Sequence, residues 1–130
     1  MSYVSNYSIA EEKVVAIDFD GVIHDNFKGF SDGTIYGMPI KDSIESLRQI
    51  HKMGYIIKIY TCKSHPSRPL INNKTGTELI WEWLKDHKLE DIVTQVTWGK
   101  PHALVYIDDK AYRFENWKNT MNFLENIHVL

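Results

Sequence analysis

The stretch "VVAIDFDG" at residues 14–21 decides how the rest of the chain is interpreted. It begins with a short run of β-branched and apolar residues, which is typical of a buried strand in a parallel sheet. Asp18 and Asp20 end this run, and alternate residues of an extended segment point to the same side. Gly21 then permits a sharp turn of the backbone. The stretch therefore predicts a buried strand that delivers two carboxylates to one crevice.

Two carboxylates held close together repel each other unless a cation neutralises them or one of them is protonated. A bound metal ion or a role in proton transfer explains such a pair. An Asp-x-Asp sequence also occurs in solvated turns, so the motif by itself leaves both interpretations open.

Further segments with the composition of strands alternate with amphipathic segments. The predicted strands are residues 14–19, 55–61, 91–98 and 103–108, and the predicted helices are residues 41–53, a helix that begins near Thr75, and residues 115–127. The first and last strands are apolar on both faces, as expected of strands covered on both sides. In the last helix, we expect the apolar stripe of Trp117, Met121 and Leu124 to face the core. The alternation predicts an α/β protein with parallel strands.

The length of 130 residues is that of one domain, which we expect to include a polar N-terminal extension over residues 1–12. A formal net charge of -2 provides no overall basic field that would attract nucleic acid or a membrane. The single cysteine, Cys62, excludes an intramolecular disulfide framework. The N-terminus lacks the apolar core of a signal peptide, and no run has membrane-spanning length. We therefore expect a cytoplasmic protein without a membrane partner, and its oligomeric state is left open.

Polar residues also follow the other predicted strands. Thr61 ends the second, Lys100 precedes the fourth, and Asp108 and Asp109 close the fourth. In open parallel sheets, ligands bind at the carboxyl ends of the strands, where these residues are expected to meet. Carboxylate oxygens suit Mg²⁺, whereas the hydroxyl and the ammonium group suit a phosphoryl group. The set predicts a site for phosphoryl transfer.

In this set the chain resembles the haloacid dehalogenase superfamily. The four motifs of that family occur in order as "DFDGV" (residues 18–22), Thr61 in "IYTCKS", Lys100 in "GKP" and "IDD" (residues 107–109). The resemblance runs from about residue 13 to residue 114 and is nearest to small, capless, phosphatase-like members. It implies a three-layer α/β/α Rossmann-like fold with a mainly parallel sheet of strand order 5-4-1-2-3. A fifth strand would come from "IHVL" at residues 127–130.

The resemblance also implies roles for the matching residues. Asp18 is the nucleophile that forms an aspartyl-phosphate, and Asp20 protonates the leaving group and then activates water. Thr61 binds the phosphoryl oxygens, and Lys100 stabilises Asp18 and the developing charge. The implied ligands of Mg²⁺ are the Asp18 carboxylate, the main-chain carbonyl of Asp20, and one or both of Asp108 and Asp109.

The intervals between the motifs leave no room for a folded cap, but they do hold a flap loop at residues 24–39. We assign Gly21, Lys63 and Arg68 to substrate binding, with a solvated basic turn as the alternative for the two cations. In the flap, we favour a loop hydrogen bond over a substrate contact for His24. The flap aromatic residues either anchor the loop or stack on a sugar or nucleobase. These aromatic residues are Phe27, Phe30 and Tyr36.

We therefore expect a Mg²⁺-dependent phosphomonoester hydrolase whose substrate is a phosphorylated small molecule, such as a nucleotide, or a polynucleotide end. Two non-enzymatic functions compete with it. A receiver-like signalling module would place its phosphorylated aspartate before its Thr and Lys and would carry no acidic pair after the Lys, whereas here "IDD" comes last. A non-catalytic protein that binds phosphate or Mg²⁺ is the other alternative, and the filled catalytic positions argue against it.

Overall fold

A parallel four-stranded sheet forms the centre of the computed structural model, which describes residues 13–127. The strands are β1 (Val14–Asp18), β2 (Ile56–Tyr60), β3 (Val93–Thr97) and β4 (Val105–Ile107). The helices are α1 (Ser43–Lys52), α2 (Gly76–Asp86) and α3 (Trp117–Asn126), and a 3-10 helix (Cys62–Ser64) follows β2. The strand order is β3-β2-β1-β4. This architecture confirms the α/β class and the parallel sheet and is consistent with a Rossmann-like fold.

β1 is the strand that fixes the position of the site. Its residues are buried as far as Ile17, and Ala16 is completely inaccessible to solvent. The strand is paired on both edges, with Asp18 opposite Tyr60 of β2 and Ile17 opposite Ile107 of β4. A strand that is paired and buried in this way is apolar on both faces, as its sequence indicated. Asp18 is therefore held at the carboxyl edge of the sheet by the most deeply buried strand.

The helices α1 and α2 pack against one face of this sheet. The buried core on that face includes Val15, Ile17, Leu47, Ile57, Ile59, Ile80 and Leu84. The helix α1 ends before Gly54, as predicted. The helix α2 begins with a capping box in which Thr75 and Glu78 exchange side-chain and backbone hydrogen bonds, which was also predicted. Both crossover helices are therefore set by local signals in the sequence.

The C-terminal part of the described chain differs from the expectation. The apolar stripe of α3 was expected in the core, but Trp117 is 69% exposed and Leu124 is 53% exposed. All three residues of β4 are exposed as well, so the prediction of cover on both of its faces is wrong. The reason is that residues 98–104, between β3 and β4, contain no helix to complete a second layer there. The three-layer arrangement stays a prediction.

The flap loop of residues 24–39 contains neither a helix nor a regular strand. Its two ends are joined, because the Asp25 N–H donates to the Met38 carbonyl at 2.9 Å and the Ile40 N–H donates to the Ile23 carbonyl at 2.8 Å. Between residues 13 and 127, no helix is long and apolar enough to cross a membrane. The proposed N-terminal extension and all but the first residue of the candidate fifth strand lie outside the described residues.

Candidate functional site

A cavity of about 830 Å³ opens at the carboxyl edge of the sheet. It lies between the ends of β1 and β2, the segment after β4 and the flap loop. Of the site residues predicted from the sequence, all but Lys100 line it. These residues are Asp18, Asp20, Gly21, Thr61, Lys63, Arg68, Asp108 and Asp109. The topology of the sheet therefore brings residues that are distant in the sequence into one crevice, as expected for this edge.

Three carboxylates form an acidic cluster in this cavity. Asp18, Asp108 and Asp109 each offer one oxygen, and these oxygens lie within 4.8 Å of one another. β1 and β4 are neighbours in the sheet, which is why Asp18 at the end of β1 meets the two residues that follow β4. Several carboxylate oxygens at such spacing are the donors that Mg²⁺ prefers. The donor chemistry of the acidic cluster therefore fits a hard divalent cation.

The acidic cluster is electrostatically unbalanced. Burial and the nearby charges of Asp108 and Asp109 raise the pKa of Asp18 to about 7. The pKa of Asp108 is lowered, because the Lys110 backbone N–H and the Tyr60 hydroxyl donate hydrogen bonds to its carboxylate. Burial and the bond to Asp108 also raise the pKa of Tyr60. Asp18 therefore keeps its proton to a higher pH than an exposed aspartate does, because ionisation would place another negative charge in a partly buried site that is already anionic.

Gly21 is required by the geometry around Asp109. Its φ of +83° lies in the left-handed region, and a Cβ at this position would be 2.4 Å from the Asp109 Oδ2 atom. A side chain at residue 21 would therefore displace one member of the acidic cluster in addition to straining the backbone. This close packing gives Gly21 a positioning function and leaves its predicted contact with substrate a prediction.

Asp20 lies in a different environment from Asp18. Its Oδ1 atom is 2.8 Å from His24 Nδ1, and its Oδ2 atom accepts a hydrogen bond from Lys63 Nζ at 2.5 Å. Burial acts to raise the pKa of Asp20, but the hydrogen bonds from His24 and Lys63 outweigh it and lower the pKa. Lys63 is buried and pairs with Asp20, a partner that the sequence did not predict. Asp20 is therefore ionised, with both oxygens engaged.

Thr61 and Lys100 were both predicted to bind the phosphoryl group. Thr61 is buried at the end of β2, where its hydroxyl accepts a hydrogen bond from the Lys63 backbone N–H at 3.2 Å. The hydroxyl proton remains available to a ligand in the cavity. Lys100 is exposed, and its ammonium group lies 4.7 Å from the centre of the Tyr106 ring. Its charge helps to lower the pKa of Asp108, but its role towards Asp18 stays a prediction.

The flap aromatic residues divide into two groups. The Tyr36 hydroxyl donates to the Gly29 carbonyl at 2.6 Å, so this residue anchors the loop to itself. Phe27 and Phe30 line the cavity and are 68% and 46% exposed. The Arg68 guanidinium lies 4.3 Å from the centre of the Phe30 ring. An exposed aromatic surface with a cation beside it therefore forms part of the cavity wall.

Sequence reasoning missed three contributors to this site. Tyr60 holds Asp108, and the register of β2 against β1 places it opposite Asp18. The loop hydrogen bond expected of His24 is confirmed, because the Gly37 N–H donates to its Nε2 atom, but its contact with Asp20 was not predicted. Trp98 is 54% exposed and lines the cavity. Of the three, Tyr60 carries a usable signal, because it lies one residue before Thr61 at the end of a strand.

Comparisons with protein-family models, curated proteins and solved structures found no match. The fold and the site define the class as an α/β protein with a parallel sheet and an acidic cluster whose oxygens suit a divalent cation.

Replacement of Gly21 by alanine is expected to weaken Mg²⁺ binding by about 10- to 100-fold, because the new methyl group displaces Asp109. Gly54→Ala is the matched control, since Gly54 also has a positive φ, +94°, but a Cβ there meets no atom within 4 Å. Titration calorimetry with Mg²⁺ measures both affinities. Equal losses in the two variants would show that backbone strain, and not the contact with Asp109, is responsible.

Without metal, the stability of the protein is expected to fall as the pH rises from about 4 to about 7. In this range folded Asp18, with its pKa of about 7, keeps a proton that the unfolded chain, with a pKa of 3.8, has lost. Urea unfolding in the presence of a chelator measures this trend, and Asp18→Asn removes it. Asp86→Asn, an exposed carboxylate on α2, is expected to keep the wild-type trend. An unchanged pH profile in Asp18→Asn would contradict the assignment.

Proposed function

We propose that the protein is a Mg²⁺-dependent phosphomonoester hydrolase of the haloacid dehalogenase type that acts through an aspartyl-phosphate on Asp18. The observation that supports this most directly is the contrast between two carboxylates in one cavity. Asp18 lies among other anions in the acidic cluster, whereas Asp20 lies between two hydrogen-bond donors. Different environments for paired carboxylates are typical of sites that need a nucleophile and a separate acid-base group.

The acidic cluster of Asp18, Asp108 and Asp109 would hold the ion. Bound Mg²⁺ would offset the repulsion between the attacking carboxylate and the anionic phosphate. The pKa of about 7 describes Asp18 without a cation beside it. A cation beside a carboxylate favours its ionised form, so bound Mg²⁺ would keep Asp18 in the state that a nucleophile requires.

In the first half of the reaction, an Asp18 oxygen forms a bond to phosphorus while the bond from phosphorus to the leaving-group oxygen breaks. Asp20 gives a proton to that oxygen. The Thr61 hydroxyl, at the end of the neighbouring strand, binds a phosphoryl oxygen. In the second half, the oxygen of a water molecule forms a bond to phosphorus while the bond from phosphorus to the Asp18 oxygen breaks, and Asp20 takes a proton from that water. Inorganic phosphate leaves, and the Asp18 carboxylate is restored.

An acid must carry a proton, and Asp20 is ionised beside Lys63. The phosphate group of the substrate brings negative charge into the same cavity, which raises the pKa of a neighbouring carboxyl group. It also competes for the Lys63 ammonium group, which lies 2.5 Å from Asp20. Substrate binding therefore favours proton uptake by Asp20 at the stage where the proton is needed.

Within the same proposal, the substrate is a nucleotide or a polynucleotide end. The cavity of about 830 Å³ is larger than a phosphate group needs, and no cap covers it among residues 13–127. Phe27 and Phe30 offer exposed rings on its wall, and Arg68 offers a second positive charge. Aromatic side chains stack on nucleobases, and arginine binds phosphates. These features suit a phosphomonoester that carries a planar base.

Wild-type protein is expected to hydrolyse an aryl phosphate only when Mg²⁺ is present, and Asp18→Asn is expected to lower kcat by about 1,000-fold or more. The change is nearly isosteric and removes the nucleophile. Asp25→Asn, an exposed residue of the cavity wall outside the acidic cluster, serves as the control and is expected to keep its turnover. Equal rates in wild type and Asp18→Asn would overturn the assigned nucleophile. Turnover that survives a chelator would contradict the role of the metal.

Phe27→Ala and Phe30→Ala are each expected to raise KM for a nucleoside monophosphate by about tenfold, because a stacked ring is lost. KM for ribose 5-phosphate, which has no base, is expected to stay within about twofold. Phe114→Ala removes a ring that is similarly exposed, at 55%, and lies outside the cavity wall, so it is the control. Equal losses with both substrates would show that the two rings support the flap and do not bind a base.

A further inference from the structure

His24 is the most deeply buried polar residue next to the site, with no solvent exposure. Its ring stacks on Phe19, with 5.2 Å between centroids and 7° between planes. Two further rings pack edge-on against it, Tyr36 at 5.3 Å and Trp83 at 5.8 Å. The imidazole is thus enclosed on several sides and cannot rotate without displacing the core. Such a ring holds its nitrogen atoms in fixed positions.

The hydrogen bonds of His24 determine which nitrogen carries the proton. The Gly37 backbone N–H donates to His24 Nε2 at 2.8 Å, and a backbone N–H can only donate. The Nε2 atom therefore has no proton, and the Nδ1 atom must have one. The Nδ1 atom lies 2.8 Å from Asp20 Oδ1, to which it donates. The direction of the hydrogen bond to Asp20 is therefore set at the other side of the ring, by the flap.

The position of Gly37 is fixed in turn. A Cβ at this residue would lie 2.1 Å from the Asp25 carbonyl oxygen, so only glycine fits beside the backbone of Asp25. The Gly37 carbonyl accepts a hydrogen bond from Trp83 Nε1 at 2.9 Å. A continuous series of hydrogen bonds therefore runs from Trp83 on α2 through Gly37 and His24 to Asp20.

The two oxygens of Asp20 accept hydrogen bonds from donors that differ in their access to a ligand. The Oδ2 atom is bound by Lys63, which lines the cavity and is open to competition from a phosphoryl group. The Oδ1 atom is bound by a ring that has no contact with solvent. When a substrate draws Lys63 away, the bond from His24 remains and leaves the Oδ2 atom facing the cavity.

We propose that His24 is a positioning residue, which holds Asp20 Oδ1 so that Oδ2 is the oxygen that transfers the proton. This inference rests on the proposed hydrolase function. The Oδ2 proton moves to the leaving-group oxygen as the bond from that oxygen to phosphorus breaks and the bond from Asp18 to phosphorus forms. The same oxygen later takes a proton from the attacking water. His24 exchanges no proton with the substrate and acts only through Asp20.

A positioning role makes the effect of His24 depend on the leaving group. An alkoxide leaves poorly unless it is protonated, whereas p-nitrophenolate leaves without help from an acid. Loss of the bond to Asp20 is therefore expected to slow the hydrolysis of an alkyl phosphomonoester much more than that of p-nitrophenyl phosphate. A general loss of structure would slow both reactions alike.

Two substitutions separate the two hydrogen bonds of the ring. In His24→Asn, the side-chain amide nitrogen takes the place of Nδ1 and still donates to Asp20. In His24→Gln, the amide oxygen takes the place of Nε2 and still accepts from Gly37, but the donor to Asp20 is lost. Both variants lose the aromatic packing of the ring, so each serves as the matched control of the other.

With glycerol phosphate as the substrate, we expect His24→Gln to lower kcat by about 100-fold and His24→Asn to lower it by less than about tenfold. With p-nitrophenyl phosphate, both variants are expected to lose less than about tenfold, and KM is expected to change little. Equal losses for both variants on both substrates would overturn the proposal and leave His24 a purely structural residue. Asp20→Asn is expected to show the same dependence on the leaving group. If it does not, Asp20 is not the acid of the proposed function, and the result refutes that role independently of His24.

A measurement on wild-type protein keeps the proposal testable if neither variant folds. Nitrogen-15 NMR of the imidazole groups distinguishes the two neutral tautomers. We expect His24 to carry its proton on Nδ1, the less common form of the residue. A proton on Nε2 would overturn the hydrogen bond to Asp20 and the positioning role with it. A wild-type protein that shows the Nδ1 tautomer but hydrolyses neither substrate would refute the proposed hydrolase function and, with it, the catalytic consequence of this contact.

Discussion

The repulsion between the carboxylates of Asp18, Asp108 and Asp109 is the constraint on which the rest of the site depends. These groups would separate in solution, but β1 is buried and paired on both edges, and β4 lies beside it. Gly21 allows Asp109 to approach at the first turn after β1. Packing of the apolar core supplies the free energy that keeps the three carboxylates together. A cation bound among them would relieve the repulsion, and this relief would favour its binding.

The same strand end produces two aspartates of opposite character. Burial and the neighbouring carboxylates raise the pKa of Asp18 to about 7, whereas the hydrogen bonds from His24 and Lys63 lower the pKa of Asp20. Both pKa shifts are caused by the surroundings that the fold gives each carboxyl group, since the two residues are chemically identical. The proposed phosphoryl transfer through an aspartyl-phosphate would use two carboxyl groups in separate roles, and the different environments of these two aspartates suit that division.

Much of the fold could be predicted because its signals are local. β1 is a continuous apolar run, and α2 begins with a capping box at Thr75. The closeness of the acidic residues could be predicted because the carboxyl ends of parallel strands lie at one edge of the sheet. The exposed stripe of α3 around Trp117 was not predictable, because a periodic pattern shows that a helix has an apolar face but not what covers it. The contact of His24 with Gly37 spans 13 residues of irregular loop, for which the sequence offers no periodic signal.

β4 has only three residues, all of them exposed, yet two of the three carboxylates of the acidic cluster directly follow it. The remaining carboxylate, that of Asp18, belongs to the last residue of β1, the most deeply buried strand. The cluster therefore joins a rigid part of the molecule to an edge with few buried contacts, where local opening costs the least free energy. A ligand held by all three carboxylates would bind this edge and the core together. Its affinity would then include the free energy of local folding, and the occupancy of the site would be thermodynamically linked to the order of β4 and the residues that directly follow it.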